Sequence, residues 1–141
     1  VVEEFFSLNF FCQLKKRGKI PKVIIANNVI AHVQDLNDFI AGIKNILDPD
    51  GFLSIEFAYL LELIKFKQFD TIYHEHFSYI SLLALERIFK KHGLRIFDIE
   101  KLTTHGGSLR VFGCHLNSNI REKKIVKNLV QEEINYKLDI F

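Results

Sequence analysis

The chain has 141 residues, a length that suits one ordinary domain or a part of one and not two full domains. Nineteen Lys and Arg stand against 17 Asp and Glu, a formal charge of +2, which is too balanced for a surface that tracks nucleic-acid phosphates or anionic lipid. With 48% hydrophobic and 26% charged residues, the chain is globular and can bury a sizeable core.

The sequence opens at Val1 with no initiator Met, so a fragment of a longer protein is expected. Cys12 and Cys114 form no C-x-x-C pair, which argues against a disulfide framework or a zinc finger and for a reduced, cytoplasmic setting. A secretory signal is not expected, because the first six residues include Glu3 and Glu4. The longest uncharged runs, 23–34 and 76–85, fall short of the roughly 18 apolar residues of a membrane span.

Helical spacing of Leu8, Phe11, Cys12 and Leu14 predicts a helix over 8–17, with Ser7 as its cap and Gly18 as its stop. After Pro21, the unbroken run Val23, Ile24, Ile25, Ala26 predicts a strand covered on both faces. Asp35 then caps a helix whose stripe is Leu36, Phe39, Ile40, Ile43, Ile46 and Leu47. The D-P-D-G turn at 48–51 leads into a buried strand over 52–57, and 59–66 predicts a short helix with Leu60, Leu61 and Ile64 inward.

An aromatic loop follows. Residues 82–92 are predicted helical, started by Ser81 and stopped by Gly93. Strands at 94–99 and 108–115, joined by a short Gly-containing loop, are expected to be antiparallel. The alternation gives an α/β fold, a parallel sheet with an antiparallel final strand. The tail, 120–141, spaces Ile125, Val126, Leu129, Val130, Ile134 and Leu138 as an amphipathic helix whose stripe needs a partner.

Ligands in open α/β sheets sit beyond the carboxyl ends of the strands, where three segments carry chemistry. The first holds Asn27, Asn28 and His32; if it begins a helical turn, Asn28 and His32 share a face. Capping by Asn28 and a buried, satisfied His32 would explain the same residues. The second is Y-H-E-H-F-S-Y at 73–79. Its His74, Glu75 and His76 supply only alternating side chains on an extended loop, which argues against a metal. Tyr73, Phe77 and Tyr79 could plug the core beside surface histidines. Alternatively a histidine acts as acid or base, oriented by a carboxylate and aided by a Tyr hydroxyl. The third is T-H-G-G-S-L-R at 104–110, either a plain hairpin turn or a loop that brings Arg110 or backbone N–H groups to a phosphate.

The order of these segments is informative. I-I-A-N-N-V-I-A-H-V-Q-D-L-N-D-F at 24–39, L-D-P-D-G at 47–51, F-D-T-I-Y-H-E-H-F-S-Y at 69–79 and T-H-G-G-S-L-R-V at 104–111 closely resemble the nucleotide-sugar C-methyltransferases. The resemblance spans residues 4–115 and implies the second half of a doubly wound, Rossmann-like sheet over 1–116. Residues 117–141 would be a linker helix opening a further domain. It also implies S-adenosylmethionine as cofactor, a nucleotide-linked keto-deoxysugar as substrate, and neither nucleic acid nor membrane as partner. The family's N-terminal zinc module and Gly-rich cofactor loop have no counterpart in these residues.

By the same resemblance His76 is the expected base, supported by Glu75 and Tyr73. Asn28, His32, Tyr79, His105 and Arg110 would meet the substrate, and Glu4, Phe5 and Asn27 the cofactor. Two alternatives stay open: methylation of another small molecule, and a non-catalytic remnant or interaction module. The strand at 23–26 is expected to present an unpaired apolar edge, so the isolated chain should self-associate.

Overall fold

The computed structural model describes residues 3, 4 and 6–139. Nine main elements follow one another: α1 (Leu8–Lys16), β1 (Val23–Asn27), α2 (Leu36–Ile46), β2 (Phe52–Ala58), α3 (Leu60–Lys65), α4 (Leu82–Lys91), β3 (Leu94–Leu102), β4 (Ser108–His115) and α5 (Lys124–Asn135). Local chemistry sets the helix starts. The Ser7 side chain accepts the Phe10 N–H at 3.2 Å, and Asp35 accepts the Asp38 N–H at 2.9 Å. Gly18, at φ 72°, follows the last turn of α1, where Lys15 and Lys16 face the negative end of the helix dipole.

The four strands lie in the order β1-β2-β4-β3. β1 and β2 run parallel, whereas β4 is antiparallel to both of its neighbours. β3 therefore shares the direction of β1 and β2, and the final strand alone is reversed, inserted between them. This is the α/β sheet with an antiparallel last strand, and it has a Rossmann-like arrangement. Register levels the relevant ends. Asn27 pairs with Glu56 and Ala58 with Ser108, so the carboxyl ends of β1 and β2 and the amino end of β4 share one edge of the sheet.

One face of the sheet forms the core: Leu53, Ile55, Leu109 and Val111 are fully buried, with Leu82, Leu85 and Phe89 of α4 and Ile40 and Ile43 of α2 in the same cluster. The opposite face is more open. Phe52, Phe97 and Phe112 lie there half-buried, with ring centroids 6.4 and 6.2 Å apart along the series. The expectation that residues 23–26 are covered on both faces is corrected. β1 lies at the sheet edge, and Val23 and Ile25 are 46% and 68% exposed while Ala26 is buried. A continuous apolar run cannot report which face is covered; only the position of the strand decides that.

Two further differences are local. Ile64 is 47% exposed, because α3 is a short helix that turns only Leu61 fully into the core. The tail helix, α5, finds its partner within the chain: it packs on β3 and α4 and buries Val126, Leu129 and Glu133. No described helix is long and apolar enough to cross a membrane.

Candidate active site

The backbone beyond the strand ends builds a floor for the side chains. Asn28 takes a left-handed φ of 53° as β1 ends, and its N–H donates to the Glu56 carbonyl at 2.8 Å. The chain then forms a single 3-10 turn over Ile30–His32, anchored by the fully buried Ile30. Asn28 and His32 thus do not share an α-helical face, yet both line the same cleft. The aromatic loop folds over this turn: the Phe77 and Ser78 N–H groups both donate to the Ala31 carbonyl, at 2.8 and 3.4 Å. A tight turn, with the His76 N–H donating to the Tyr73 carbonyl at 3.1 Å, brings Tyr73 and His76 together.

The partners of His76 decide its tautomer. Its Nδ1 lies 2.9 Å from the Thr71 carbonyl oxygen, which can only accept, so Nδ1 carries the proton. In the neutral ring the lone pair is then on Nε2, 3.0 Å from the Tyr73 hydroxyl, which donates to it. The two rings are 4.2 Å apart between centroids, and the Tyr79 ring meets His76 edge-on at 6.0 Å. His32 repeats the same logic: its Nδ1 is 2.9 Å from the Glu75 carbonyl, leaving Nε2 bare. The His32 and His76 rings are 4.8 Å apart.

His32, Tyr73 and His76 line a cleft of about 230 Å³ together with Asn28, Ala31, Phe57, Ala58, Asp70 and Thr71. Ligand pockets commonly run about 300–1,000 Å³, so this volume takes a fragment of sugar size and not a sugar and a cofactor side by side. The chemistry available is that of an acid–base pair: an imidazole with an acceptor nitrogen, a phenol next to it, and a second imidazole facing the same space.

Of the other candidates, some lie elsewhere. The Glu75 carboxylate does not reach His76; it lies 4.0 Å from His74 Nε2, and both side chains are mostly exposed. It is the Glu75 backbone carbonyl that takes part, by holding His32. The loop alternates its side chains, which sends the carboxylate between the two histidines away from the cleft. Arg110 is likewise absent from the cleft lining. It sits in register between Glu56 and Glu100 and pairs with both, at 2.8 and 3.1 Å. The hydrogen bond that Arg110 donates to Glu56 is the chief cause that raises the guanidinium above its ordinary range. Tyr79 reaches the site with its ring, and its hydroxyl donates to the Thr71 carbonyl at 3.4 Å. Asn27 ends β1 exposed beside the cleft, and Glu4 is exposed. Phe5 and the His105 side chain lie outside the described residues.

Sequence reasoning missed Asp70 and Thr71. The Thr71 contribution is a backbone carbonyl, which no residue type announces; Asp70 stood in the F-D-T-I-Y-H-E-H string and could have been read from it.

A family model described as a methyltransferase domain matches residues 4–99. The C-methyltransferase NovU of Streptomyces niveus is 36% identical over 121 residues, covering 86% of this chain and 29% of that protein. The chain therefore spans less than a third of the length of this curated relative. Among solved structures, magnesium protoporphyrin IX methyltransferase (ChlM) from Synechocystis PCC 6803 with bound SAH superposes with a TM-score of 0.53 at 15% identity, over 70% of this chain and 46% of that one. CalO1, a methyltransferase in calicheamicin biosynthesis in its SAH-bound form, gives 0.53 at 16% identity, over 82% and 34%. At such identities the two structures speak for the fold.

Proposed function

Because the chain belongs to the methyltransferase-domain family, we propose that its protein methylates a carbon of a nucleotide-linked keto-deoxysugar, with S-adenosylmethionine as methyl donor and His76 as base. The observation that carries the reading is the bonding of His76 in the cleft lining, with Nδ1 on the Thr71 carbonyl and Nε2 beside the Tyr73 phenol. The name of the NovU relative, a C-methyltransferase, supports carbon as the site of transfer.

Carbon next to a ketone is a poor nucleophile until its proton leaves. In the resting site the Tyr73 hydroxyl occupies the His76 lone pair. A substrate carbonyl oxygen entering the cleft competes for that hydroxyl, and its success uncovers Nε2. His76 then takes the proton from the adjacent carbon and becomes imidazolium, while Tyr73 donates to the oxygen on which negative charge develops. The Thr71 carbonyl, still accepting from Nδ1–H, stabilises the charged ring. His32 Nε2 and Asn28 are within the same cleft to hold substrate hydroxyls.

The residues of this chain fit one side of the methyl donor. An apolar slot of about 70 Å³ beside the end of β1, lined by Phe6, Ile25, Ala26 and Val29 among others, suits the face of a heteroaromatic ring. When bound, S-adenosylmethionine supplies an electrophilic methyl group on a sulfonium. The chain's own part is to form the carbon nucleophile.

The test uses the full-length protein and the variant His76→Asn. A general base is worth about 10²–10⁴-fold in rate, so methyl transfer should fall by that factor with folding near native. Exchange of the substrate α-proton with solvent should fall in parallel. Wild-type exchange and methylation in this variant would dismiss His76 as the base. Lost methylation with exchange retained would favour a methyltransferase of other chemistry, in which the histidines only shape the pocket.

A further inference from the structure

We propose that Gln68 is a positioning residue for His76, acting through Thr71, and that the Gly106–Gly107 turn exists to seat it; this rests on the reading of His76 as base. Three consecutive hydrogen bonds carry the argument. The Gln68 side-chain Nε2 donates to the Gly106 carbonyl at 2.6 Å, the Thr71 hydroxyl donates to the main-chain carbonyl of Gln68 at 3.0 Å, and His76 Nδ1 donates to the Thr71 carbonyl at 2.9 Å. The series runs from the turn between β3 and β4 to the imidazole.

Each link is held from both sides. Gln68 follows Lys67, which takes a left-handed φ of 52°, and its N–H returns to the Leu63 carbonyl at 3.0 Å, so its backbone is tied to α3. The bond from the Thr71 hydroxyl closes the 3-10 turn at 69–71, in which the Ile72 N–H also donates to the Phe69 carbonyl at 3.1 Å. That turn aims the Thr71 carbonyl at His76. On the far side, the 104–107 turn is itself fixed: the Gly107 carbonyl accepts from Tyr59 N–H at 3.1 Å and the Ser108 hydroxyl donates to Thr104.

The two glycines are needed for closeness as well as for conformation. Gly106 and Gly107 have φ of 77° and 125°. A Cβ on Gly106 would lie 2.9 Å from the Gln68 amide nitrogen and oxygen, and one on Gly107 would lie 3.0 Å from Glu62 Cβ. A side chain on Gly106 would thus displace the Gln68 amide, and one on Gly107 would crowd Glu62 of α3. This gives the Gly106–Gly107 turn a role in supporting the site loop. An imidazole without its carbonyl partner divides itself between two tautomers, and only the one protonated on Nδ1 offers an acceptor to the cleft.

The variant Gln68→Glu keeps the shape, removes the donor and sets a carboxylate against the Gly106 carbonyl. In the full-length protein, ring ¹⁵N shifts of His76 report the tautomer, and steady-state methylation reports kcat and KM separately. The Nδ1–H form should dominate in the wild type and give way to a substantial Nε2–H population in the variant. kcat should fall about tenfold, the scale of one lost hydrogen bond, with KM within about twofold. Gly106→Ala, which pushes a methyl group into the same amide, should move both readouts in the same direction. A wild-type tautomer in both variants overturns the proposal whatever happens to the rate. A shifted tautomer with unchanged kcat upholds the positioning and removes the base assignment instead.

Discussion

Removing the Glu133 carboxylate should unfasten α5 from the body of the protein. Glu133 is fully buried, and its oxygens accept the Leu82 N–H at 2.7 Å, the Leu83 N–H at 2.7 Å and the Tyr59 hydroxyl at 2.8 Å. The Ser81 side chain takes the Ala84 N–H at 3.1 Å, so Glu133 and Ser81 together satisfy the first N–H groups of α4. A negative charge there also suits the positive end of the helix dipole. Burial first, and the carboxylate next, hold the Tyr59 phenol above its ordinary range, so it remains a donor. Glu133→Ala orphans two backbone donors and one hydroxyl, at about 1–3 kcal/mol each for a buried unsatisfied group. The terms do not add fully, because deleting the carboxylate also relieves its own desolvation. A net loss of about 3–5 kcal/mol is expected, the range for breaking a buried charged arrangement. Tyr59→Phe removes one of the bonds and should cost about 1 kcal/mol. Urea unfolding at pH 7 measures both, and the double variant should lose less than the sum of the single losses. A Glu133→Ala protein within about 0.5 kcal/mol of the wild type would refute the reasoning.

Three other outcomes are open to measurement. Gly42→Ala sets a Cβ 2.2 Å from Phe11 Cδ2 where α1 crosses α2; the overpacking, about 1–3 kcal/mol, should outweigh the roughly 1 kcal/mol that Ala gains over Gly in a helix, giving a lower unfolding midpoint. Lys65, hydrogen-bonded at 2.5 Å, holds the Glu132 carboxyl below the usual carboxylate range, so its stabilisation is present at neutral pH and lost as pH falls through the folded value. The pair is partly solvated, so Glu132→Gln should cost less than about 1 kcal/mol at pH 7, and the difference from wild type should shrink as pH falls from about 4.3, the ordinary carboxylate value, through the lowered folded value in acid titrations followed by circular dichroism. Ile25→Lys places a charge on the exposed edge strand β1; the wild-type chain should self-associate in sedimentation velocity and the variant should shift toward monomer, whereas a monomeric wild type would remove the edge as a cause.

Helices and turns were legible where one short stretch contains its own instructions. Ser7, Asp35 and Ser81 cap the helices that they were expected to cap, because an N-cap acts within three residues of itself. The reversed final strand was readable from the short Gly-containing connection, which leaves no room for a crossover. The edge position of the strand at 23–26 was expected, but the exposure of Val23 and Ile25 was not readable from the apolar run, since it depends on which face is covered.

The site divides in the same way. Tyr73, His74, Glu75 and His76 drew attention by type and spacing, and of these the structure brings Tyr73 and His76 into bonding distance while turning the Glu75 carboxylate away. Asn28 and His32 join them across 43 residues between His32 and Glu75 because the Ala31 carbonyl receives the loop. The amino-acid order alone determined the elements, their alternation and the presence of an imidazole beside a phenol, all of which follow from interactions between near neighbours. The tertiary structure decided which nitrogen of His76 accepts, which carboxylate is turned away from it and what closely faces the two glycines at 106–107. Those depend on backbone carbonyls and close approaches between distant segments, and such groups are the same in every residue until the fold aims them.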